Sequence, residues 1–268
     1  KKIKLKKINI RKLSIKNINS EKGYIAIKKS KKYYDLIILC LGARSKIYDS
    51  VSSSRKISKD YREVAISGKI KHSLEINNPS QYFLKEGPLA FLPYKKNEFS
   101  YVWSLKKIFY ENNHKNLRKL VNEKINSLLS TKKILKTSLI QSYPIHLSLR
   151  KNYYNNKVLI LGEGLHTVHP IAGQGFNLVL RDIIGFYKII KKSSELGLTI
   201  SSSHVLKDFN NLRKPENILF GVGIDITNNF FKKNKYLDPF KEVILKNISK
   251  YEIVKKFSKI FSDKGISI

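Results

Sequence analysis

The chain has 268 residues, 41% of them hydrophobic, enough to bury one large core or two smaller ones. Its longest apolar runs, such as residues 36–41, fall far short of the roughly 18 residues a membrane-spanning helix needs, so no bilayer-crossing helix is expected. Fifty-three Lys and Arg against twenty Asp and Glu give a formal charge of +33, but the lysines are scattered from Lys1 to Lys264 among abundant Ile, Asn and Tyr, a distribution that bears on solubility and non-specific binding rather than fold.

Taken in chain order, residues 3–27 alternate apolar and polar side chains (Ile8 and Ile10, then Tyr24 to Ile27) around a Glu21-Lys22-Gly23 turn. This predicts short antiparallel strands. Residues 34–41, apolar without interruption from Leu36 and closed by Gly42, have the pattern of a strand buried on both faces, with the single cysteine, Cys40, as inert packing. One cysteine excludes an internal disulfide, and no charged-then-apolar signal segment opens the chain, so a reducing, cytoplasmic setting is expected. Because the sequence opens at Lys1 and contains no Met, it is read as most of a longer protein.

Between 61 and 105, β-like pieces at 63–70, 80–84, 89–93 and 99–105 are punctuated by turn signals at Asn77-Asn78-Pro79 and Glu86-Gly87-Pro88. They predict an antiparallel sheet with Phe91 and Trp103 in its core. Leu117, Leu120, Val121, Ile125, Leu128 and Leu129 mark one face of a helix within 113–130. Residues 157–161 predict a second buried strand, followed by a Gly-rich turn and an apolar helix over 175–190. The C-terminal third reads as helical. Pro215 is expected to break or kink the helix carrying Leu206, Phe209 and Leu212, and Asp238-Pro239 has the form of a helix start.

The stretch Leu161-Gly-Glu-Gly-Leu-His-Thr-Val-His-Pro-Ile-Ala-Gly-Gln-Gly-Phe-Asn177 carries the most chemistry. A buried strand delivers the chain into a turn whose glycines, Gly173 and Gly175, let backbone N–H groups approach a ligand closely, and the next helix aims its positive end at the same place. An anion or an electron-rich ring edge suits such a device. A flavin, whose N1–C2=O2 edge gains negative charge on reduction, is one fit. His166 and His169 lie three apart, but Pro170 keeps them off a helix and no Cys or carboxylate cluster completes a set, so no metal is expected.

The run from His169 to Leu178, with Arg181-Asp182 after it, resembles the second FAD-binding motif of the ubiquinone-biosynthesis hydroxylases, members of the group A flavoprotein monooxygenases related to p-hydroxybenzoate hydroxylase. The likeness extends to Gly87-Pro-Leu-Ala-Phe-Leu-Pro93, Tyr101-Val-Trp-Ser104, Ser142-Tyr-Pro-Ile145 and Arg213-Lys-Pro-Glu-Asn217 with Asp225. Leu41-Gly-Ala-Arg-Ser-Lys46 sits where the family has its Asp-Gly motif, with Leu41 in place of the Asp; Glu163 stands where many relatives have Asp or Asn.

The resemblance implies a mixed α/β (α+β) architecture: a partial FAD-binding Rossmann-like domain interleaved with an antiparallel-sheet substrate domain and followed by C-terminal helices. The expected divisions are 1–60 and 148–195 for the FAD-binding parts, 61–147 for the substrate sheet and helix, and 196–268 for the helical region, the family's Gly-x-Gly-x-x-Gly unit belonging upstream of Lys1. The implied cofactor-binding residues are Gly42, Arg44, Ser45, Gly162, Glu163, His169, Pro170, Gly173, Gln174, Gly175, Phe176 and Asn177. The implied reaction is hydroxylation of a polyprenylated phenol with FAD, O2 and NAD(P)H as electron donor, in a ubiquinone-biosynthesis complex peripheral to the inner membrane face. No side chain stands out as a nucleophile or general base, so none is assigned as catalytic. Two other classes stay open: a degenerate relative acting as an assembly partner, and a basic protein binding nucleic acid or a membrane surface, although no nucleic-acid motif is present.

Overall fold

The computed structural model describes residues 8–27, 30–43, 45–51, 56–74, 78–129, 134–200 and 203–232. In chain order they form β1 (Asn17–Asn19), β2 (Tyr24–Ile27), β3 (Ser30–Tyr33), β4 (Ile37–Leu39), α1 (Ile47–Val51), β5 (Lys56–His72), β6 (Ser80–Leu84) and β7 (Gly87–Lys95). Then come β8 (Glu98–Lys106), α2 (Lys107–Asn113), α3 (Leu117–Leu128), β9 (Ile134–Thr137), β10 (Gln141–Arg150), β11 (Tyr154–Asn155) and β12 (Val158–Ile160). Last are β13 (His166–Thr167), α4 (Gly175–Glu195) and α5 (Ser203–Phe231), with short 3-10 turns at His114–Asn116, Gly162–Gly164 and Pro170–Ala172. The fold is mixed α/β, as read from the sequence. Two compact units divide it. The first comprises Lys1–Arg55, Arg150–Leu165 and Val179–Lys214, and the second Lys56–Leu149, His166–Leu178 and Pro215–Ile268.

In the first unit, β4 and β12 pair in parallel, Ile37 to Val158 through Leu39 to Ile160, so the two apolar runs recognised in the sequence lie side by side in one sheet. Antiparallel β11 completes the order β11-β12-β4. The middle strand is buried throughout, whereas β4 alternates: Ile37 and Leu39 are buried while Ile38 is 43% exposed. Burial on both faces was the expectation for residues 34–41. It fails because β4 ends the sheet among the described residues and only one of its faces is covered, which also leaves Cys40 exposed. The covered face packs on Tyr48, Phe186 and Phe209, with Phe186 edge-on to Phe209 at 5.3 Å.

A separate antiparallel sheet, β1-β2-β3, turns at Gly23 as expected. Ile8 and Ile10, read as strand residues, are exposed and lie outside any strand among the described residues. In the same unit Asp182 of α4 accepts a hydrogen bond from Arg213 Nε of α5 at 2.9 Å, both side chains almost wholly buried. The two motif residues thus pin one helix to the other.

The second unit is built on a sheet of seven strands among the described residues, ordered β13-β10-β5-β8-β7-β6 with β9 also on β5. The period-2 pattern of the sequence puts Ile66, Ile70, Leu89, Phe91, Phe99, Tyr101, Trp103 and Leu105 fully inside. Val121 and Ile125, one turn apart on α3, close that core. Gly87 has φ 138, and a Cβ there would run into the Ser104 carbonyl oxygen of the neighbouring strand. Trp103 secures the same turn by donating its indole N–H to the Gly87 carbonyl at 3.2 Å.

Helix α2 has no buried residue and therefore no apolar stripe to announce it in the sequence. Helix α5 continues through Pro215 rather than breaking there; burial of Phe209, Asn217 and Phe220 on either side outweighs one lost helical hydrogen bond. Asp238-Pro239 lies outside the described residues.

Two outcomes follow for stability. Asp182→Ala removes the carboxylate from a buried ion pair and should lower unfolding free energy by about 3–5 kcal/mol, and adding Arg213→Met should recover much of it in chemical denaturation. Gly87→Ala combines a strained φ with a backbone collision, and a loss of more than about 2 kcal/mol is expected by the same measurement.

Candidate functional site

Two loci emerge, one in each unit. In the first, parallel β4 and β12 each run into a glycine with left-handed backbone, Gly42 at φ 73 and Gly162 at φ 75. An added Cβ on Gly42 would lie 3.8 Å from Glu163 Oε2. The parallel register therefore brings together the Gly42 and Gly162-Glu163 motifs, which are far apart in the chain, with the Glu163 carboxylate exposed beside the Gly42 turn. Ser45 accepts a hydrogen bond from the Ile47 N–H at 3.3 Å and so starts α1, and Leu41 N–H donates to the Tyr48 hydroxyl at 2.7 Å. Arg150 Nε donates to the Gly164 carbonyl at 3.1 Å and steadies the second turn. Arg44 lies outside the described residues.

The remaining predicted residues fall in the second unit. His169 is fully buried and caps the Pro170–Ala172 turn, its Nδ1 accepting the Ile171 N–H at 3.1 Å. Gly173 ends that turn at φ 62 with its N–H on the Pro170 carbonyl, and a Cβ there would meet nothing within 4 Å. Gln174 links this bend to α4: its carbonyl accepts from Leu178 N–H at 3.0 Å, and its side-chain oxygen from Asn177 Nδ2 at 3.2 Å. Gly175 and Phe176 open the helix, and Phe176 is 70% exposed. The first N–H groups of a 21-residue helix have no acceptor within it and carry the positive end of its dipole. Open space at Gly173 beside those donors is what the approach of an electron-rich planar edge requires.

Sequence reading missed the partner of His169. Because Nδ1 accepts from backbone, the ring proton sits on Nε2, which donates to Glu63 Oε2 at 2.8 Å. Glu63, 8% exposed, also takes Lys232 Nζ at 2.8 Å. Burial alone would push its carboxyl up, but the hydrogen bonds from His169 and Lys232 outweigh that and hold it below the ordinary carboxylate range. Tyr61 stands edge-on to His169 at 5.0 Å, with Lys59 and Lys232 over its ring at 5.3 and 5.6 Å. Burial, then the neighbouring Asp225 carboxylate, raises its phenol; Asp225 itself pairs with Lys59 at 2.8 Å. One signal for this network was present in the sequence: period-2 alternation puts Glu63 on the same strand face as Tyr61 and Ala65, which pack with Ile145, Leu147 and Leu149.

Between them, Arg62 has φ 53, a left-handed backbone that costs a non-glycine residue about 1 kcal/mol or more. Its N–H is taken by the Asp60 side chain at 2.8 Å. Tyr61, Arg62 and Glu63 line a cavity of about 590 Å³ together with the apolar Phe83, Leu84, Pro88, Ile108 and Ile171, the charged Lys85, Glu86, Lys106, Lys107, Glu111 and Lys232, and Asn228 of α5. Ile171 belongs to the turn that leads into Gly173, so the cavity and the glycine bend are contiguous.

The model of the family described as "FAD binding domain" matches residues 34–193. Among curated proteins, the ubiquinone biosynthesis monooxygenase COQ6 of Dictyostelium discoideum is 33% identical over 131 residues, 43% of this chain and 26% of that protein. Ubiquinone hydroxylase UbiL of Rhodospirillum rubrum is 26% identical over 191 residues, 69% of this chain and 43% of that protein. The 3-demethoxyubiquinol 3-hydroxylase of Escherichia coli is 29% identical over 156 residues, 58% and 40% of the two chains. The match spans less than half the length of each of these relatives. The fold is shared with p-nitrophenol 4-monooxygenase PnpA of Pseudomonas putida, at TM-score 0.74 and 13% identity over 95% of this chain and 67% of that one. It is shared also with an HpxO variant of Klebsiella pneumoniae complexed with FAD, at TM-score 0.71 and 12% identity over 93% and 68%. With the family model covering more than half its length and parallel strands ending in paired glycine turns, the chain belongs to the FAD binding domain family.

Proposed function

We propose that this chain is the flavin-edge and substrate-binding part of an FAD-dependent monooxygenase that hydroxylates the ring of a polyprenylated phenol, as in ubiquinone biosynthesis. One observation carries the reading: Ile171, in the turn leading into Gly173, lines the same cavity as the apolar side chains of the β6–β7 hairpin. A ring held there abuts the bend that would receive the isoalloxazine. In this reading residues 1–60 and 148–195 belong to an FAD-binding domain, 61–147 to a substrate domain and 196–268 to a helical region.

FAD, reduced by NAD(P)H, supplies the oxygen-activating chemistry when bound. The chain's own residues do the rest. The bend from Gly173 to Asn177, with His169 and Pro170 bracing it, directs helix N–H groups toward charge that develops on reduction. Gly42 and Gly162 allow close backbone approach, Glu163 accepts hydrogen bonds from ribityl hydroxyls, and Arg44 and Ser45 contribute at the first turn. Phe83, Leu84, Pro88 and Ile108 give the reacting ring apolar contact within a lining that also carries Lys85, Glu86, Lys106, Lys107 and Glu111. The surplus of lysine suits attachment to the acidic face of a membrane and to a complex assembled there.

As the full-length protein it should be yellow with bound FAD and should oxidise NAD(P)H faster when a prenylated phenol is added; a colourless full-length protein at saturating FAD ends the reading. Gly173→Ala adds a methyl that touches no protein atom, so unfolding should change by only about 1 kcal/mol while flavin occupancy drops sharply. Leu41→Asp restores the family carboxylate and should raise that occupancy. For Glu63, whose folded carboxyl titrates below the unfolded value of 4.5, the stabilisation is complete above about that pH and is lost as pH falls through the lower, folded value. Thermal unfolding of Glu63→Gln should therefore lack most of this acid-side slope.

A further inference from the structure

Tyr48 stands between the two glycine turns of the first unit and touches both. It is 1% exposed on α1. Its hydroxyl accepts the N–H of Leu41, the residue before Gly42, at 2.7 Å. Its ring covers Gly164, the residue after Glu163, so closely that an added Cβ there would lie 2.5 Å from Tyr48 Cζ. Arg150, 2% exposed, closes the arrangement: its guanidinium lies 5.5 Å from the centre of the Tyr48 ring, and its Nε donates to the Gly164 carbonyl at 3.1 Å. Asp49, the next residue of α1, pairs with the same guanidinium at 3.7 Å. Burial raises the Tyr48 phenol above its ordinary value, so the hydroxyl stays neutral and the bond to Leu41 persists across neutral pH.

The parallel ladder aligns β4 with β12 as far as Leu39 and Ile160, with a last bond from the Leu161 N–H to the Leu39 carbonyl at 3.0 Å. Past that point Tyr48 spans from one turn to the other. We infer that Tyr48 is a positioning residue for the cofactor, fixing the spacing between the Gly42 turn and the Glu163 carboxylate so that both meet the same stretch of the flavin's ribityl chain. It acts through Gly42 and Glu163 without touching the cofactor. Hydrogen bonds weaken steeply as distance and angle drift, so a polyol is gripped only where its acceptors hold a set separation. The inference rests on the assignment of these two turns to FAD, as proposed above.

The test is calorimetric titration of the full-length apoprotein with FAD, arranged as a double-mutant cycle. Tyr48→Phe removes one oxygen, keeps the ring on Gly164, and should weaken FAD about five- to tenfold. Glu163 is exposed, so Glu163→Ala leaves the fold intact. In that background Tyr48→Phe should weaken FAD less than about twofold, because the carboxylate it aligns is gone. Arg150→Lys keeps a cation beside the ring but not the Nε bond to Gly164; it should show the same dependence on Glu163, and it supplies the measurement should Tyr48→Phe fold poorly. Additive losses, or a lowered melting temperature with FAD affinity unchanged, would make the tyrosine purely structural and overturn the inference while the flavin assignment stands. If Glu163→Ala alone leaves FAD affinity unchanged, or the unsubstituted protein binds no FAD, the assignment of the turns fails and the inference fails with it.

Discussion

A carboxylate taken out of water inside a β-sheet is tolerable only if donors meet it, and much of the second unit is arranged around that requirement at Glu63. His169 and Lys232 supply the donors, and His169 can do so only because its other nitrogen accepts from Ile171. One chain of hydrogen bonds therefore runs from the middle of β5 to the turn that introduces Gly173. The wall of the cavity and the glycine bend are positioned by the same bond, which is why a family motif at 169 depends on a glutamate 106 residues earlier.

Much of the architecture could be read from the sequence where the pattern and the packing coincide. The strands of the 61–105 region announced themselves by alternation and turn residues, and each lies in the large antiparallel sheet. The apolar run at 157–161 became a fully buried strand because neighbours flank it on both sides. Its counterpart at 34–41 carries the same composition but only one neighbour among the described residues, and apolar character alone cannot distinguish an end strand from a central one. Strand β10 was hidden by Pro144, a residue that argues against a ladder position even though Ile145, Leu147 and Leu149 alternate behind it.

The candidate site divides in the same way. Glycines that must adopt positive φ leave a signature in a single sequence, so Gly42, Gly162 and Gly173 were recognisable before their conformations were known. Glu63, Tyr61, Lys232 and Asn228 were not, since each acquires meaning from a partner or cavity supplied by remote chain. The basic excess is partly committed to local work: Lys59 holds Asp225, Lys124 holds Glu86 at 2.9 Å, and Lys232 holds Glu63. What remains is a solvated, strongly positive exterior, consistent with the scatter of lysines along the chain.

The indole of Trp103, hydrogen-bonded to the Gly87 carbonyl at the cavity's edge, is the single tryptophan of the chain. Its 0% exposure shields its emission from bulk solvent, while its indole N–H donates to a backbone oxygen of a residue that borders the cavity. Evolution has thereby left an intrinsic optical reporter beside the chamber: displacement of the Gly87 turn by an occupant would alter the indole's hydrogen bond, and with it the wavelength at which the protein glows.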